Sequence, residues 1–372
     1  MIFSFFPFLI YRGFDNKHFT DLPKTYLPLL HVAAYYDSLE CFLYLYSRGF
    51  QLNLKSLNDF YPLHYACAGG SIETFIFISD NLTQEDKIQF SFCPPEYQFT
   101  PIFLATCSKS SDILHILFEK GATIPNYPPS YSRQTPLSIA ILNKDRDCIH
   151  ELLYHSNIHQ PGDRDFTPLM RAIMINYFDA VKFLVDEGAD VNYQTPNGKT
   201  ALFLACSVKN EQIVKYLLDN GAFVHQVGYL GKYPIHFAAS SDNISILMMI
   251  IRAGADPIAK DMNDTPATFS ALCSKKNKFE IMKILFDHGV SPNDINSKTK
   301  STILNSLLLE EPDETNLKVI KLILERGGNL NYKTKTGKTL YEVAQLSCPP
   351  EIKNVIDKFL KEHPEVKISK NE

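Results

Sequence analysis

Two short motifs recur every 33 residues along the middle of this 372-residue chain. The first is a Gly-Ala pair, and its copies begin at Gly188, Gly221 and Gly254, a step of 33 each time (221 − 188 and 254 − 221). The second is a Thr or Tyr followed by Pro or Ala and an aliphatic residue, and its copies begin at Thr167, Thr200 and Tyr233. Two independent markers in one phase predict an array of stacked repeats rather than one compact core.

More divergent copies of the second motif extend the array in both directions. They begin at Leu29, Tyr61, Thr100, Thr135, Thr265, Ser301 and Thr339, and with the three regular copies they make ten repeats. Gly13-Phe14-Asp15 resembles the end of an eleventh repeat whose front is missing. Residues 1–24 are therefore predicted to be a partial N-terminal repeat, with the apolar run from Phe3 to Tyr11 as its second helix.

The best-preserved repeat predicts two helices and a turn. Thr167-Pro168 suits the start of a helix that runs to about Ile175, because Thr can cap it and Pro fits its first turn. A second helix is predicted over about 178–187, where apolar residues recur with helical spacing, and Gly188 supplies the residue that ends it. In the following loop, Asn197-Gly198 favours a tight turn.

This order of features resembles the ankyrin repeat, over about residues 21–360. The resemblance implies an all-α ankyrin-repeat solenoid, in which helix-turn-helix repeats are joined by β-hairpin-like loops. It also implies that the motif histidines, His31, His64 and His236, form hydrogen bonds within and between neighbouring repeats. The motif histidine is replaced in other repeats by Phe103, Ser138, Met170, Phe203 and Thr268. Tetratricopeptide repeats have a similar period, but they lack the Thr-Pro start with a Gly-Ala-Asp end.

The array is predicted to cover residues 25–348, followed by a capping helix and polar tail over 349–372. The pattern of this helix predicts one apolar face, formed by Ile352, Val355, Ile356, Phe359 and Leu360, and a face towards water, formed by Lys353, Lys358, Lys361 and Glu362. Two segments interrupt the regular spacing: a long connection at 81–97 and an acidic loop at 310–314. Insertions in repeat proteins usually lie in loops on one face, sometimes the binding face, so each is either a tolerated surface loop or part of a binding site.

Composition and cysteine usage limit the classes of partner and the cellular compartments that suit this protein. Lys+Arg is 37 and Asp+Glu is 41, a formal charge of −4, which argues against a general nucleic-acid binder. The eight cysteines are scattered without a Cys-x-x-Cys pair, and Cys67 and Cys206 follow Ala where small core residues belong, which predicts buried reduced thiols and a reducing compartment. The N-terminal apolar run has no Lys or Arg before Arg12 and is too short to span a bilayer. A cytoplasmic or nuclear protein without a membrane segment is expected.

No catalytic motif has the required spacing. His150-Glu151 and His155 differ from the zinc-protease pattern, because the second histidine must lie at i+4 and His155 lies at i+5. The pair His155 and His159, with Cys148 nearby, has metal-like spacing but flanks the expected end of a helix. Phosphate-binding and serine-hydrolase motifs are also missing from the sequence. We therefore expect no metal, no cofactor and no enzymatic activity.

Recognition is the remaining function, and the loop tips are its candidate sites. Side chains at tips are poorly constrained by packing and can carry specificity. The candidate partner-binding residues are aromatic in the middle of the chain and basic near its end: Tyr97, Tyr127, Tyr131, Tyr193 and Tyr229, then Lys298, Lys300, Lys333, Lys335 and Lys338. Such a surface suits a partner that offers apolar pockets to the tyrosines and acidic groups to the lysines. The alternative is that these are solvated residues without a binding role.

The sequence thus predicts a non-enzymatic scaffold or adaptor that binds other proteins through its first helices and loop tips. Three alternatives stay open. The chain is a fragment of a larger ankyrin-containing protein whose activity lies in a missing N-terminal region, or a secreted or membrane-delivered effector, or an enzyme with a metal held by His155 and His159.

Overall fold

The computed structural model describes residues 28–94, 99–124 and 134–368. Across these residues, twenty α-helices follow one another in ten pairs, and each pair corresponds to one predicted repeat. The chain divides into two compact bodies, Met1–Ala189 and Asp190–Glu372. The predicted partial repeat at 1–24 and the predicted start of the array at residue 25 lie outside the described residues.

The N-terminal body contains five helix pairs in its described part. They are α1 (Leu29–Tyr35) and α2 (Leu39–Ser47), α3 (Pro62–Gly69) and α4 (Ile72–Asn81), α5 (Pro101–Cys107) and α6 (Ser111–Glu119), α7 (Pro136–Leu142) and α8 (Arg146–Leu153), and α9 (Pro168–Met174) and α10 (Phe178–Asp186).

The C-terminal body contains five further pairs and one small sheet. The helices are α11 (Ala201–Val208) and α12 (Glu211–Asp219), α13 (Pro234–Ser240) and α14 (Ile244–Arg252), α15 (Ala267–Ala271) and α16 (Lys278–Asp287), α17 (Ile303–Leu308) and α18 (Glu314–Glu325), and α19 (Leu340–Ser347) and α20 (Pro350–Glu362). Strands β1 (Ile295–Asn296) and β2 (Ser301–Thr302) pair antiparallel, with Ile295 opposite Thr302. The predicted hairpin-like loops are therefore present.

The first helix of most repeats begins at a threonine that caps it. In each case the threonine Oγ1 accepts a hydrogen bond from the backbone N–H three residues later, which satisfies one of the unpaired donors of the first turn. This arrangement occurs at Thr100, Thr135, Thr167, Thr200, Thr302 and Thr339. The repeats that begin with Tyr61 and Tyr233 instead use a histidine ring, which accepts from the tyrosine backbone N–H. The recurring motif is therefore a helix start.

The core of each body lies between consecutive repeats. First helices pack on first helices, α1 on α3 on α5 on α7 on α9 in the N-terminal body and α11 on α13 on α15 in the C-terminal body. Their apolar residues are fully buried, as at Leu63 and Ala205, and each second helix buries one face, as at Leu184. A repeat of this size buries too little apolar surface alone, so each repeat is stabilised by its neighbours.

Asparagine side chains connect successive repeats behind the Gly-Ala ends. Asn192 donates from Nδ2 to the carbonyl oxygen of Gly221 (2.9 Å) and accepts at Oδ1 from the backbone N–H of Phe223 (2.8 Å). Asn293 forms the corresponding bond to the carbonyl oxygen of Gly327 (2.9 Å). Asn331, at the end of the ninth repeat, donates to the carbonyl oxygen of Lys367 (2.8 Å). The C-terminal segment after α20 thus takes the place that the next repeat's glycine holds elsewhere.

The C-terminal helix is the second helix of the tenth repeat. It buries Ile352, Ile356 and Phe359, as the predicted apolar face requires. Lys353 is half-buried, although the sequence pattern predicts that it faces water. The reason is its position beside Ile352 at the margin of the buried face, where a lysine stem packs along apolar surface while its ammonium reaches solvent.

The two irregular segments have different structures. In the connection at 81–97, the described part contains a 3-10 helix over Asp86–Phe90 that buries the side chain of Phe90. The acidic segment at 310–314 lies between the two helices of the ninth repeat, and Glu314 is already the first residue of α18. Glu310 accepts a hydrogen bond from Lys278 Nζ of the preceding repeat (3.3 Å). This segment therefore has a packing role between repeats.

An apolar groove of about 470 Å³ lies on the outer face of α1 and α2. Its lining includes Leu29, Val32, Tyr36 and Tyr44. This is the face on which the predicted helix of residues 3–11 would pack, and that segment lies outside the described residues. Its packing stays a prediction.

Candidate functional site

Five backbone hairpins of the C-terminal body each precede the first helix of a repeat. We call them hairpins 1 to 5, and they comprise residues 194–199, 227–232, 260–265, 295–302 and 332–339. In hairpins 1, 2, 3 and 5 a backbone N–H donates to the carbonyl oxygen four residues later, at 2.8–3.0 Å: Thr195 to Lys199, Gly228 to Lys232, Asp261 to Thr265 and Thr334 to Lys338. In hairpin 4, the N–H of Lys300 donates to the carbonyl oxygen of Asn296 (2.7 Å). Each tip is thus held by its own backbone.

Neighbouring hairpins touch one another. The side chain of Gln194 donates to the carbonyl oxygen of Val227 (2.6 Å), which joins hairpins 1 and 2. Hairpins 2 and 3 meet at Gly231, where an added Cβ would lie 2.7 Å from the Cβ of Met262. The N–H of Ser297 donates to the carbonyl oxygen of Asn263 (2.8 Å), which joins hairpins 3 and 4. Tyr332 Oη donates to the carbonyl oxygen of Lys300 (2.9 Å), which joins hairpins 4 and 5. The five hairpins therefore form one continuous surface, the hairpin row.

Hairpins 2 and 3 expose apolar side chains to solvent. The exposed fractions are 48% for Val227, 41% for Tyr229, 53% for Leu230 and 68% for Met262. Leu230 also has a left-handed backbone, with φ at +59°, which costs a non-glycine residue about 1 kcal/mol. Its side chain gains little burial to offset that cost. Arg164, at the corresponding place in the loop before α9, has the same conformation (φ +60°), so the backbone belongs to the loop type and the exposed leucine is what distinguishes hairpin 2.

Hairpins 4 and 5 expose lysines. Lys298, Lys300, Lys333, Lys335 and Lys338 are all exposed, as expected for tip residues. None of these five forms an ion pair with another residue in the described part of the chain. The acidic residue at the edge of hairpin 4, Asp294, pairs instead with Lys260 of hairpin 3 (2.6 Å). The end of the row is therefore strongly positive although the whole chain carries a formal charge of −4.

The predicted tyrosines have different positions. Tyr229 lies at the tip of hairpin 2, and the Lys199 ammonium lies over its ring at 5.7 Å from the centroid, within cation–π range. Tyr193 is half-buried and lies just before hairpin 1 rather than at its tip. Tyr97, Tyr127 and Tyr131 lie outside the described residues. A partner-binding role for any of these tyrosines stays a prediction.

Sequence reasoning did not single out Val227, Leu230 and Met262, which accompany Tyr229 on the row. The sequence feature that could have identified them is an apolar residue in a predicted turn, where turn-forming polar residues are usual. On the first helices beside the row, the half-buried rings of Phe203 and Phe237 meet edge to face, with centroids 4.2 Å apart. Two neighbouring first helices thus also carry a partly exposed apolar contact.

The three motif histidines are structural, as the resemblance implies. Nε2 of His31, His64 and His236 donates to the carbonyl oxygen of Phe60 (3.1 Å), Phe92 (3.2 Å) and Thr265 (3.0 Å), each in the region leading to the next repeat. Burial lowers the pKa of His31 and of His64 to about 4, and it also lowers the pKa of His236. These rings are neutral at pH 7 and connect repeats.

The residues with metal-like spacing do not converge. His155 and His159 are exposed, and the ring of His155 stacks on Phe118 with centroids 3.8 Å apart. Cys148 is fully buried, and burial raises the pKa of its thiol. Within the described ranges, no group of three or more His, Cys, Asp or Glu side chains could hold a metal ion.

All eight cysteines lie in the described residues and are free thiols. The prediction that Cys67 and Cys206 are buried is confirmed, and burial raises the pKa of Cys206 to about 12. A thiol that stays protonated is a poor nucleophile and metal ligand, so these side chains fill the core. Among the described helices, none combines the length and apolar character needed to cross a membrane.

Three comparisons identify the repeats. A family model described as ankyrin repeats (3 copies) matches residues 30–128, 125–195 and 169–261. The crystal structure of the ankyrin repeat domain of Bcl-3, a member of the IkappaB family, superposes with a TM-score of 0.53 at 22% identity, covering 60% of this chain and 97% of that domain. At this identity the structural likeness shows the fold.

Curated relatives from distant organisms match parts of the chain. The human transient receptor potential cation channel subfamily A member 1 is 25% identical over 177 residues, 44% of this chain and 15% of the channel. The ankyrin repeat and KH domain-containing protein mask-1 of Caenorhabditis elegans is 29% identical over 184 residues, 41% of this chain and 7% of that protein. A putative ankyrin repeat protein of fowlpox virus is 32% identical over 120 residues, 31% of this chain and 35% of that protein. The matches thus span at most 35% of these relatives' length. From the helix pairs, the bridging histidines and the family match, this chain belongs to the ankyrin-repeat family.

Proposed function

We propose that this chain is a non-enzymatic scaffold or adaptor that binds partner proteins through the hairpin row and the first helices beside it. Ankyrin repeats generally mediate protein–protein interactions. The observation that carries the proposal for this chain is the continuous row of five hairpins that exposes apolar side chains. We further propose that it acts in the cytoplasm or nucleus, without a cofactor.

Three physical properties of the row favour binding. Its backbone is closed by hydrogen bonds within and between hairpins, so little conformational entropy is lost when a partner docks. Tyr229 and Met262 belong to residue types that are enriched at interface centres. Exposed lysines lie beside this apolar part, and polar or charged rims are typical around an apolar interface centre.

Affinity capture with matched variants tests the proposal. The full chain, the double variant Tyr229→Ala/Met262→Ala and the control Leu309→Ala are used as baits, and captured proteins are quantified by mass spectrometry. Leu309 is 75% exposed but lies at the end of α17, outside the hairpins. We expect at least one protein, confirmed by direct binding of the purified pair, to bind the wild type and the control and to bind the double variant about tenfold more weakly. Equal capture by all three baits would refute the hairpin row as the binding surface.

A further inference from the structure

We infer that the hairpin row recognises an acidic peptide segment with an apolar anchor, a conclusion that rests on the proposed function and names the chemistry of its partner. The row has two chemically different halves that are adjacent in space. Hairpins 2 and 3 expose Val227, Leu230 and Met262, and hairpins 4 and 5 expose lysines. A ligand that covers both halves must combine an apolar side chain with negative charge.

Charge complementarity determines the sign of the charge that the ligand carries over hairpins 4 and 5. Five lysine ammonium groups project from two neighbouring hairpins and have no ion-pair partner among the described residues. Hairpin 3 differs from the lysine hairpins, because its tip carries an exposed carboxylate, that of Asp264. Uncompensated charge of one sign attracts the opposite charge and speeds encounter, so the lysine hairpins favour carboxylate groups on the partner.

The spacing between repeats determines how many residues separate the apolar anchor of the ligand from its acidic residues. Packed helices lie about 8–10 Å apart, and the hairpins in front of them touch. An extended peptide rises about 3.3 Å per residue, so it advances one hairpin in about three residues. Hairpins 4 and 5 lie one to three hairpins beyond hairpins 2 and 3, so a peptide anchored on hairpins 2 and 3 places residues about three to nine positions further on over the lysines.

The side chains of the apolar half favour a peptide over a nucleic acid as the partner. Single-stranded nucleic acids need aromatic side chains on which successive bases stack. The exposed apolar side chains of hairpins 2 and 3 are mainly aliphatic, with Tyr229 the aromatic member of the group named above. Aliphatic and thioether side chains suit the apolar side chain of a peptide better than a base face.

Peptide selection tests the inference with the full chain. A random linear 12-residue phage library is selected against the wild type, and the affinities of the enriched peptides are then measured by fluorescence anisotropy. We expect enriched peptides to pair an apolar residue with two or more Asp or Glu residues about three to nine positions away. The double variant Lys333→Glu/Lys335→Glu should weaken their binding at least tenfold, and increased salt should weaken binding to the wild type. The control Lys215→Glu/Lys283→Glu reverses two exposed helix lysines and should retain wild-type affinity.

The outcomes distinguish this inference from the proposed function. Enriched peptides that need Tyr229 and Met262 but carry no acidic residues would overturn the inference and leave the proposed function standing. Peptides whose binding is unchanged by every hairpin variant would count against both. A single-stranded 20-nucleotide DNA that binds more tightly than the peptides and competes for the same lysines would overturn the inference in favour of a nucleic acid.

Discussion

His236 donates a hydrogen bond from Nε2 to the carbonyl oxygen of Thr265, 3.0 Å away at the start of the next repeat. Its Nδ1 accepts from the backbone N–H of Tyr233 (3.2 Å). Since a protonated imidazole has no acceptor, both bonds exist together only when the ring is neutral. His64 has the same two contacts, to Phe92 and Tyr61.

Acid should therefore destabilise the fold through these histidines. Burial lowers the pKa of His31 and of His64 to about 4, below the unfolded value of about 6.5. Stability that is present above pH 6.5 is thus lost as the pH falls towards 4, by about 2 kcal/mol per histidine at pH 5. Urea unfolding between pH 7.5 and pH 5 measures the slope of the unfolding free energy against pH. His64→Gln should be less stable at pH 7.5 but should show a shallower slope, whereas the exposed control His225→Gln should keep the wild-type slope. An unchanged slope in His64→Gln would contradict the assignment.

Asp242 binds the backbone just before a helix of the next repeat. Its carboxylate accepts from Ser274 Oγ and from the backbone N–H groups of Lys276 and Asn277, just before α16. Asp242→Gly removes these bonds without backbone strain, because its φ is +61° and glycine accepts that conformation. We expect a loss of about 1–2 kcal/mol in the free energy of unfolding, because hydrogen bonds to a charged group are removed.

The matched control is Asp264→Gly. Asp264 also has a left-handed backbone (φ +55°) but lies exposed at a hairpin tip. Chemical denaturation should show little change for this variant. Equal losses in the two variants would mean that the contacts of Asp242 to the next repeat contribute no net stability.

Asn192 is expected to stabilise the contact between the segment before hairpin 1 and the loop at Gly221, both in the C-terminal body. Asn192→Ala removes one bond to Gly221 and one from Phe223. A loss of about 1–2 kcal/mol is expected, since each net hydrogen bond contributes about 1 kcal/mol. Asn197→Ala, an exposed substitution in hairpin 1, serves as the control in the same thermal and urea unfolding experiments. The interpretation fails when both variants unfold at the same denaturant concentration.

The buried lysine of α16 forms a polar network with the ninth repeat. Lys278, 8% exposed, donates to Asn316 Oδ1 (2.9 Å), and Asn316, 3% exposed, donates from Nδ2 to Glu310 (3.2 Å). Asn316→Ala leaves the lysine short of an acceptor and should cost about 1–3 kcal/mol. Lys321→Ala breaks an exposed ion pair on α18, the helix that also contains Asn316, and should cost less than about 0.5 kcal/mol. Similar losses in the two variants would show that burial of the network has no energetic consequence.

The repeat architecture was predictable because its signals are local. Thr167 as a cap, Pro168 in the first turn and Gly188 at the helix end each act on residues within one turn of themselves. The structure places a helix at Pro168–Met174 and another at Phe178–Asp186, with φ of Gly188 at +89°. The same local information recurs ten times along the chain, with a step of 33 residues in its most regular part.

The composition of the candidate site depended on contacts between residues far apart in sequence. Glu310 reads as part of an acidic loop, yet it binds Lys278, 32 residues earlier. Met262 reads as an ordinary turn residue until the backbone of Gly231 is found against it. The sequence by itself determined the repeats, their caps and the tip positions, because these follow from local backbone preferences. Only the tertiary structure decided which tips touch, which charges are paired and which apolar side chains stay exposed, because each of these depends on what the neighbouring repeat places opposite.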